Sequence, residues 1–152
     1  METNTRTEME EKLSEREINL LVTDLCGRLP HGVAVEITFK DGRKADGMVY
    51  AVETATDVYA FCCKDIDGDL HYVPLAQMKP YLIPLNELSD EQSKALQDTK
   101  LKCELLSTGT PTLNYSHLFD FMDRNGIDYR NLIDDGLALN ANDYGIIYEL
   151  RQ

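Results

Sequence analysis

The sequence predicts an α+β fold: an N-terminal helix on a small, bent, five-stranded antiparallel sheet, followed by short C-terminal helices. Three observations carry this. Apolar residues recur at helical spacing just after Ser14, alternate with polar ones from Val33, and return to a helical pattern beyond Pro84.

Ser14-Glu15-Arg16-Glu17 has the form of a capping box, in which the Ser hydroxyl and the Glu carboxylate each satisfy a backbone amide that the first turn leaves unpaired. Ile18, Leu21, Val22 and Leu25 follow as one apolar stripe, and Gly27 and Pro30 are expected to end the helix. Residues 1–12, charged and aperiodic, read as a flexible lead-in.

From Val33 the period is two, with Val33, Val35, Ile37 and Phe39 on one face. Asp41-Gly42 marks a tight hairpin turn, because glycine tolerates the positive φ that such turns require. The return strand runs from about Arg43 to Val52. A third strand, Val58 to Cys63, meets a fourth, Leu70 to Pro74, across the acidic turn Lys64 to Asp69. A fifth, Met78 to Ile83, contains Pro80 and precedes Pro84, so it is expected at a sheet edge.

Beyond it, Ser89-Asp90-Glu91-Gln92 opens a helix that runs to about Glu104. Leu118 to Met122 lie on a short helix stopped by Asn125-Gly126. Tyr129 to Asp134 add a turn or two, and Leu137 to Leu139 with Ile146 to Tyr148 suggest a terminal hairpin. Residues 13–85 therefore read as a helix plus small β-barrel. Residues 86–152 read as a helical region packed on it, in one continuous domain or as an addition to it.

With 27 acidic against 15 basic residues, the formal net charge is -12. The excess is spread as -3, -3 and -6 over residues 1–30, 31–85 and 86–152, so it serves solubility and opposes attraction to phosphate backbones and anionic membranes. No stretch approaches the roughly 20 apolar residues that span a bilayer, and the N-terminal residues lack the pattern of an export signal. A cytoplasmic protein is expected. Cys26, Cys62, Cys63 and Cys103 show no metal-binding or disulfide spacing, which makes them reduced, partly buried thiols.

Residues 35–60 resemble the first motif of the Sm-like family in Asp41-Gly42, Gly47, Val49, Val52 and Glu53. The resemblance implies a strongly bent five-stranded barrel over residues 33–84, of the SH3/Sm-like kind. Where that family places an RNA-contacting asparagine this chain has Asp57, and where its second motif has Arg-Gly this chain has Pro74-Leu75. A second resemblance covers Arg28 to Val33, Met78 to Gln92 and Ile127 to Leu139. These stretches are similar, in order, to segments of hypothetical proteins from gut anaerobes and their phages or mobile elements, a family without an assigned activity. It implies a shared fold and a mobile-element origin.

Asp65-Ile66-Asp67-Gly68-Asp69 carries alternate carboxylates, yet its glycine stands at position 4 of the loop and Ala76 at position 12, so it reads as a solvated hairpin tip rather than a calcium loop. A cysteine nucleophile would need one of His31, His71 or His117 as its base, and strand pairing would set His71 opposite Cys62 or Cys63. No metal or cofactor is expected. The eight tyrosines are the more suggestive group, since Tyr combines area with a polar handle at recognition surfaces. Tyr59, Tyr72 and Tyr81, with Asp57, are the expected interaction residues, although tyrosine also fits half-buried core positions.

The functional expectation is a non-catalytic protein-interaction module with an unidentified protein partner, not a nucleic-acid binder. Sm-like nucleic-acid binding and acidic DNA mimicry are the alternatives. A cysteine hydrolase comes last.

Overall fold

The computed structural model describes residues 13–55, 58–106, 116–148 and 150, the side chains of 53–55, 58–60 and 106 excepted. The proposed lead-in, residues 1–12, and Asp57 lie outside the described residues. Helix α1 spans Glu15–Arg28 and begins as its sequence dictates: the Glu17 amide donates to Ser14 Oγ at 3.1 Å and the Ser14 amide donates to Glu17 Oε1 at 3.0 Å. Its end differs from expectation. The helix runs through Gly27, where a Cβ would stand 3.2 Å from Asp123 Oδ2, so glycine serves close packing there. A 3-10 turn, Leu29–His31, then starts around Pro30, and the chain reverses at Gly32 with φ +78°.

Strands β1 (Val33–Thr38), β2 (Lys44–Ala55), β3 (Val58–Asp65) and β4 (Leu70–Pro74) form two successive antiparallel hairpins, and β5 (Met78–Pro84) pairs antiparallel with β1. The five expected strands are present in the order β4-β3-β2-β1-β5. The barrel is not. Its closure would need β5 to meet β4, but the free side of β5 is occupied by two short parallel strands, β6 (Ile127–Asp128) and β7 (Leu139–Asn140). The result is an open seven-stranded sheet, and β5 lies inside it rather than at an edge.

A side chain makes that exchange of partners workable. The Tyr148 hydroxyl accepts from the Ala34 amide at 3.1 Å and donates to the Tyr81 carbonyl at 2.6 Å, so it stands between β1 and β5 where their ladder would continue. The expected terminal hairpin is thereby replaced: Leu139 pairs with Tyr81, and residues 146–148 cross the sheet without becoming a strand. Tyr148 packs so closely over Gly126 that a Cβ there would fall 2.6 Å from Tyr148 Cε2.

Helix α2 (Asp90–Leu106) opens with a second capping pair, Ser89 and Gln92, and helix α3 (Ser116–Arg124) ends at Asn125-Gly126 as read from the sequence. Asp128 caps the turn that follows by accepting from the amides of Leu132 and Ile133, both at 3.0 Å.

Two apolar layers enclose the sheet. On one face Leu21 and Leu25 of α1 meet Val33, Val35, Ile37, Val49, Phe61, Cys63 and Leu82, with Leu132 and Leu137 closing the side. On the other, Tyr81, Ile83 and Ala141 pack with Ala34, Leu139, Ile146 and Tyr148.

An ion pair joins α1 to the C-terminal region. Arg28, with no exposed surface, makes a two-pronged contact with Asp24 at 2.8 and 2.9 Å and donates to the carbonyls of Met122 at 3.2 Å and Ile127 at 2.7 Å. Arg130 adds a 2.8 Å bond to the same carboxylate. Burial pulls the Arg28 pKa down, but the Asp24 hydrogen bonds and charge outweigh it, so Arg28 is held above its ordinary value.

Two stability measurements follow. Ser14→Ala should lower the free energy of urea unfolding by about 1 kcal/mol, the usual worth of an N-cap. Arg28→Ala should cost about 3–5 kcal/mol, because it leaves a buried carboxylate with Arg130 as its remaining cation and takes the donor from two carbonyls. A loss below 1 kcal/mol for Arg28→Ala would show that the ion pair is incidental.

Candidate interaction face

The outer face of the sheet is covered over β1 and β5 and open over β2, β3 and β4. Register explains which side chains occupy the open half. Met48 pairs with Lys64 and Lys64 with Leu70, giving one outward row; Cys62 pairs with Tyr72 in the next. A bulge between Val49 and Ala51 inserts Tyr50 beside these rows. Tyr72 and Leu70 are 65% and 60% exposed, and Met48 and Tyr50 are almost half exposed. Met48, Tyr50, Lys64 and Leu70 line a shallow, predominantly apolar depression of about 410 Å³. Desolvation first, then nearby Cys62 and Tyr72, raise the Tyr50 pKa, as expected for a phenol lying against this surface. Four adjoining apolar side chains at this exposure form a patch rather than the scattered singles normal on a surface.

The acidic turn bounds the patch at one end. Asp65 accepts from the amides of Asp67 and Asp69 at 3.0 and 2.9 Å and from His71 Nε2 at 2.7 Å. The His71 hydrogen bond is the main reason its carboxyl is held below the usual carboxylate range. Asp65 is therefore spent on the hairpin, whereas Asp67 and Asp69 face solvent. Among the described residues no group of three or more His, Cys, Asp or Glu could hold a metal ion.

Of the tyrosines expected at a surface, one is exposed and one is buried. Tyr72 is on the open face. Tyr81 is 2% exposed and its hydroxyl donates to Asp46 Oδ1 at 2.6 Å; it faces outward from β5, but the C-terminal segment covers it. The Tyr59 side chain and Asp57 lie outside the described residues. Met48, Tyr50 and Leu70 were not singled out from sequence, though their alternation with Val49 and the position of Leu70 directly after the turn were the available signals.

Strand pairing does set His71 opposite Cys63. The pair makes no nucleophile-base couple: Cys63 is fully buried, burial pushes its thiol up to about 12, and its sulfur lies 3.8 Å from the Phe61 carbonyl. His71 is engaged by Asp65 and packs edge-on against Phe39 at 5.3 Å. Cys103 and His117 share a depression of about 490 Å³ between α2 and α3, yet among the described residues no hydrogen bond joins them.

Comparison with known proteins returns no match to any family model, curated protein or solved structure. No helix among the described residues is long and apolar enough to cross a membrane.

Thiol chemistry checks the burial pattern. Iodoacetamide at pH 8 should modify exposed Cys26 in the native protein while leaving Cys63 and Cys103 intact until denaturant is added, as read by peptide mass mapping. Rapid native labelling of Cys63 would contradict its placement in the core.

Proposed function

We propose that this chain is a non-catalytic protein-interaction module whose docking face is the open outer surface of β2, β3 and β4. The observation that carries the reading is the contiguous exposed set Met48, Tyr50, Leu70 and Tyr72, with Lys64 among them and the exposed Asp67 and Asp69 at one end. Aromatic and methionine side chains of this kind are enriched in interface cores, where they bury large area at small entropic cost. The fitting partner is a protein surface with apolar groups at its centre and basic groups opposite Asp67 and Asp69. A net charge of -12 favours such a partner and opposes nucleic acid. An origin in a phage or mobile element agrees with this reading, since an acidic binding protein needs no chemistry of its own to act on a host component.

The test is site-specific photocrosslinking in the cells that carry the gene. Benzoylphenylalanine in place of Tyr72 or Tyr50 should yield a discrete protein adduct that is lost when Met48→Lys is added. The same probe in place of Leu101, an exposed residue of α2 at the α2–α3 depression, should not. In parallel, oligo-U and duplex DNA should bind no tighter than about 100 µM at physiological salt. Adducts with nucleic acid, or equal adducts from position 101, would overturn the proposal.

A further inference from the structure

The open face ends at β4, which is the edge of the sheet among the described residues. Its backbone pattern can be read from the turn before it. The Asp65 amide donates to the Asp69 carbonyl at 3.0 Å, which makes 65 and 69 a hydrogen-bonded pair. With the register Lys64 to Leu70, Cys63 to His71, Cys62 to Tyr72 and Phe61 to Val73, hydrogen-bonded and non-hydrogen-bonded pairs must alternate. His71 and Val73 thus turn their amides and carbonyls toward β3. Leu70 and Tyr72 turn theirs toward the open edge. The same two residues carry the most exposed side chains of the apolar patch. Pro74, with no N–H, ends the row.

Natural sheets guard such edges with lysines, inward charges, bulges or a covering segment. Here Leu70 to Val73 contains no Lys, Arg, Asp or Glu, and the bulge in this sheet lies in β2 instead. We infer that β4 accepts an extended segment of a partner protein as an added strand. The main-chain groups of Leu70 and Tyr72 supply up to four hydrogen bonds to it. Alternate apolar side chains of the segment then extend the Tyr50, Leu70 and Tyr72 surface. A Lys or Arg at one end of the segment reaches Asp67 and Asp69, which are exposed at the start of β4. This rests on the protein-docking reading above and specifies its mode. Charge selects the occupant: a second copy would bring another -12 to the same edge, whereas a basic segment complements it.

The probe is a display library of random 12-residue peptides selected against the intact chain, with enriched peptides then synthesised. Expected sequences alternate apolar residues and end in Lys or Arg. Their affinity should fall at least about tenfold on Tyr72→Lys, and by a similar factor when alternate peptide amides on one edge are N-methylated but not when the other set is. Because residues 70 and 72 are exposed, these variants should keep the native circular dichroism and melting temperature. In the complex, amide hydrogen exchange at Leu70 and Tyr72 should slow at least about tenfold, while His71 changes little. Peptides that need Met48 and Tyr50 but leave the Leu70 and Tyr72 amides exchanging as in the free chain would overturn strand addition and preserve the docking reading. Selection yielding nothing sensitive to Met48, Tyr50, Leu70 or Tyr72 would overturn both. A concentration-dependent dimer in sedimentation, abolished by Leu70→Lys, would place a second copy on the edge and overturn the inference.

Discussion

The buried contact between Asp24 and Arg28 is the constraint around which the molecule is arranged. Helix α1 approaches the sheet through Leu21 and Leu25, and it approaches the C-terminal region through the turn of helix that bears this ion pair. Arg28 binds the carbonyl of Met122, in α3, and that of Ile127, in β6. One guanidinium therefore joins α1 to two consecutive elements about a hundred residues further along the chain. Tyr129 completes the shell. Its ring lies 4.3 Å from the Arg130 guanidinium and 5.6 Å from that of Arg28, and its hydroxyl donates to Asp123 at 2.8 Å. Burial first, and Asp123 second, push the Tyr129 phenol up to about 12, so it stays a donor throughout the neutral range.

From this fixed point the sheet acquires its asymmetry. Anchoring β6 beside Arg28 brings Ile127 onto Ile83 of β5, and Leu139 and the residues after it follow across the outer face. That coverage stops at β1. The second hairpin, β3 and β4, projects beyond it with Leu70 and Tyr72 of its outer face uncovered. Position in the fold, rather than local composition, thus separates Tyr81 from Tyr72: both stand on the outer face, and only one has the C-terminal segment above it.

Much of the local structure was legible in the sequence because it is set by short-range chemistry. The capping residues Ser14 and Ser89, the hairpins at Asp41-Gly42 and Asp67-Gly68, and the stop at Asn125-Gly126 each depend on a few neighbours. The open sheet was not legible, since a two-residue parallel strand such as Ile127–Asp128 has too little length for periodicity to register. The ion pair left a faint signal: Asp24 and Arg28 are spaced i, i+4 and each follows Leu21 or Leu25 by three, which puts charge on the apolar face of α1. Of the interaction residues, Tyr72 was recoverable from alternation along β4. The exposure of Met48 and Tyr50 depended on how far the C-terminal segment reaches.

The hydroxyl of Tyr148 has a consequence for how the molecule breathes. An amide bonded to a neighbouring strand exchanges with solvent only when the sheet opens, but the Ala34 amide is bonded to a phenol carried by a segment that is not itself a strand. Release of residues 146–148 alone would free it, along with the Tyr81 carbonyl, while α1 and the two hairpins stay in place. One end of the junction between β1 and β5 thus depends on one aromatic ring near the C-terminal end of the chain, while their ladder from Val35 to Ile37 does not. Peeling that ring away would also uncover Ala34, Tyr81 and Ile83, enlarging the apolar surface from the β4 edge inward to β5.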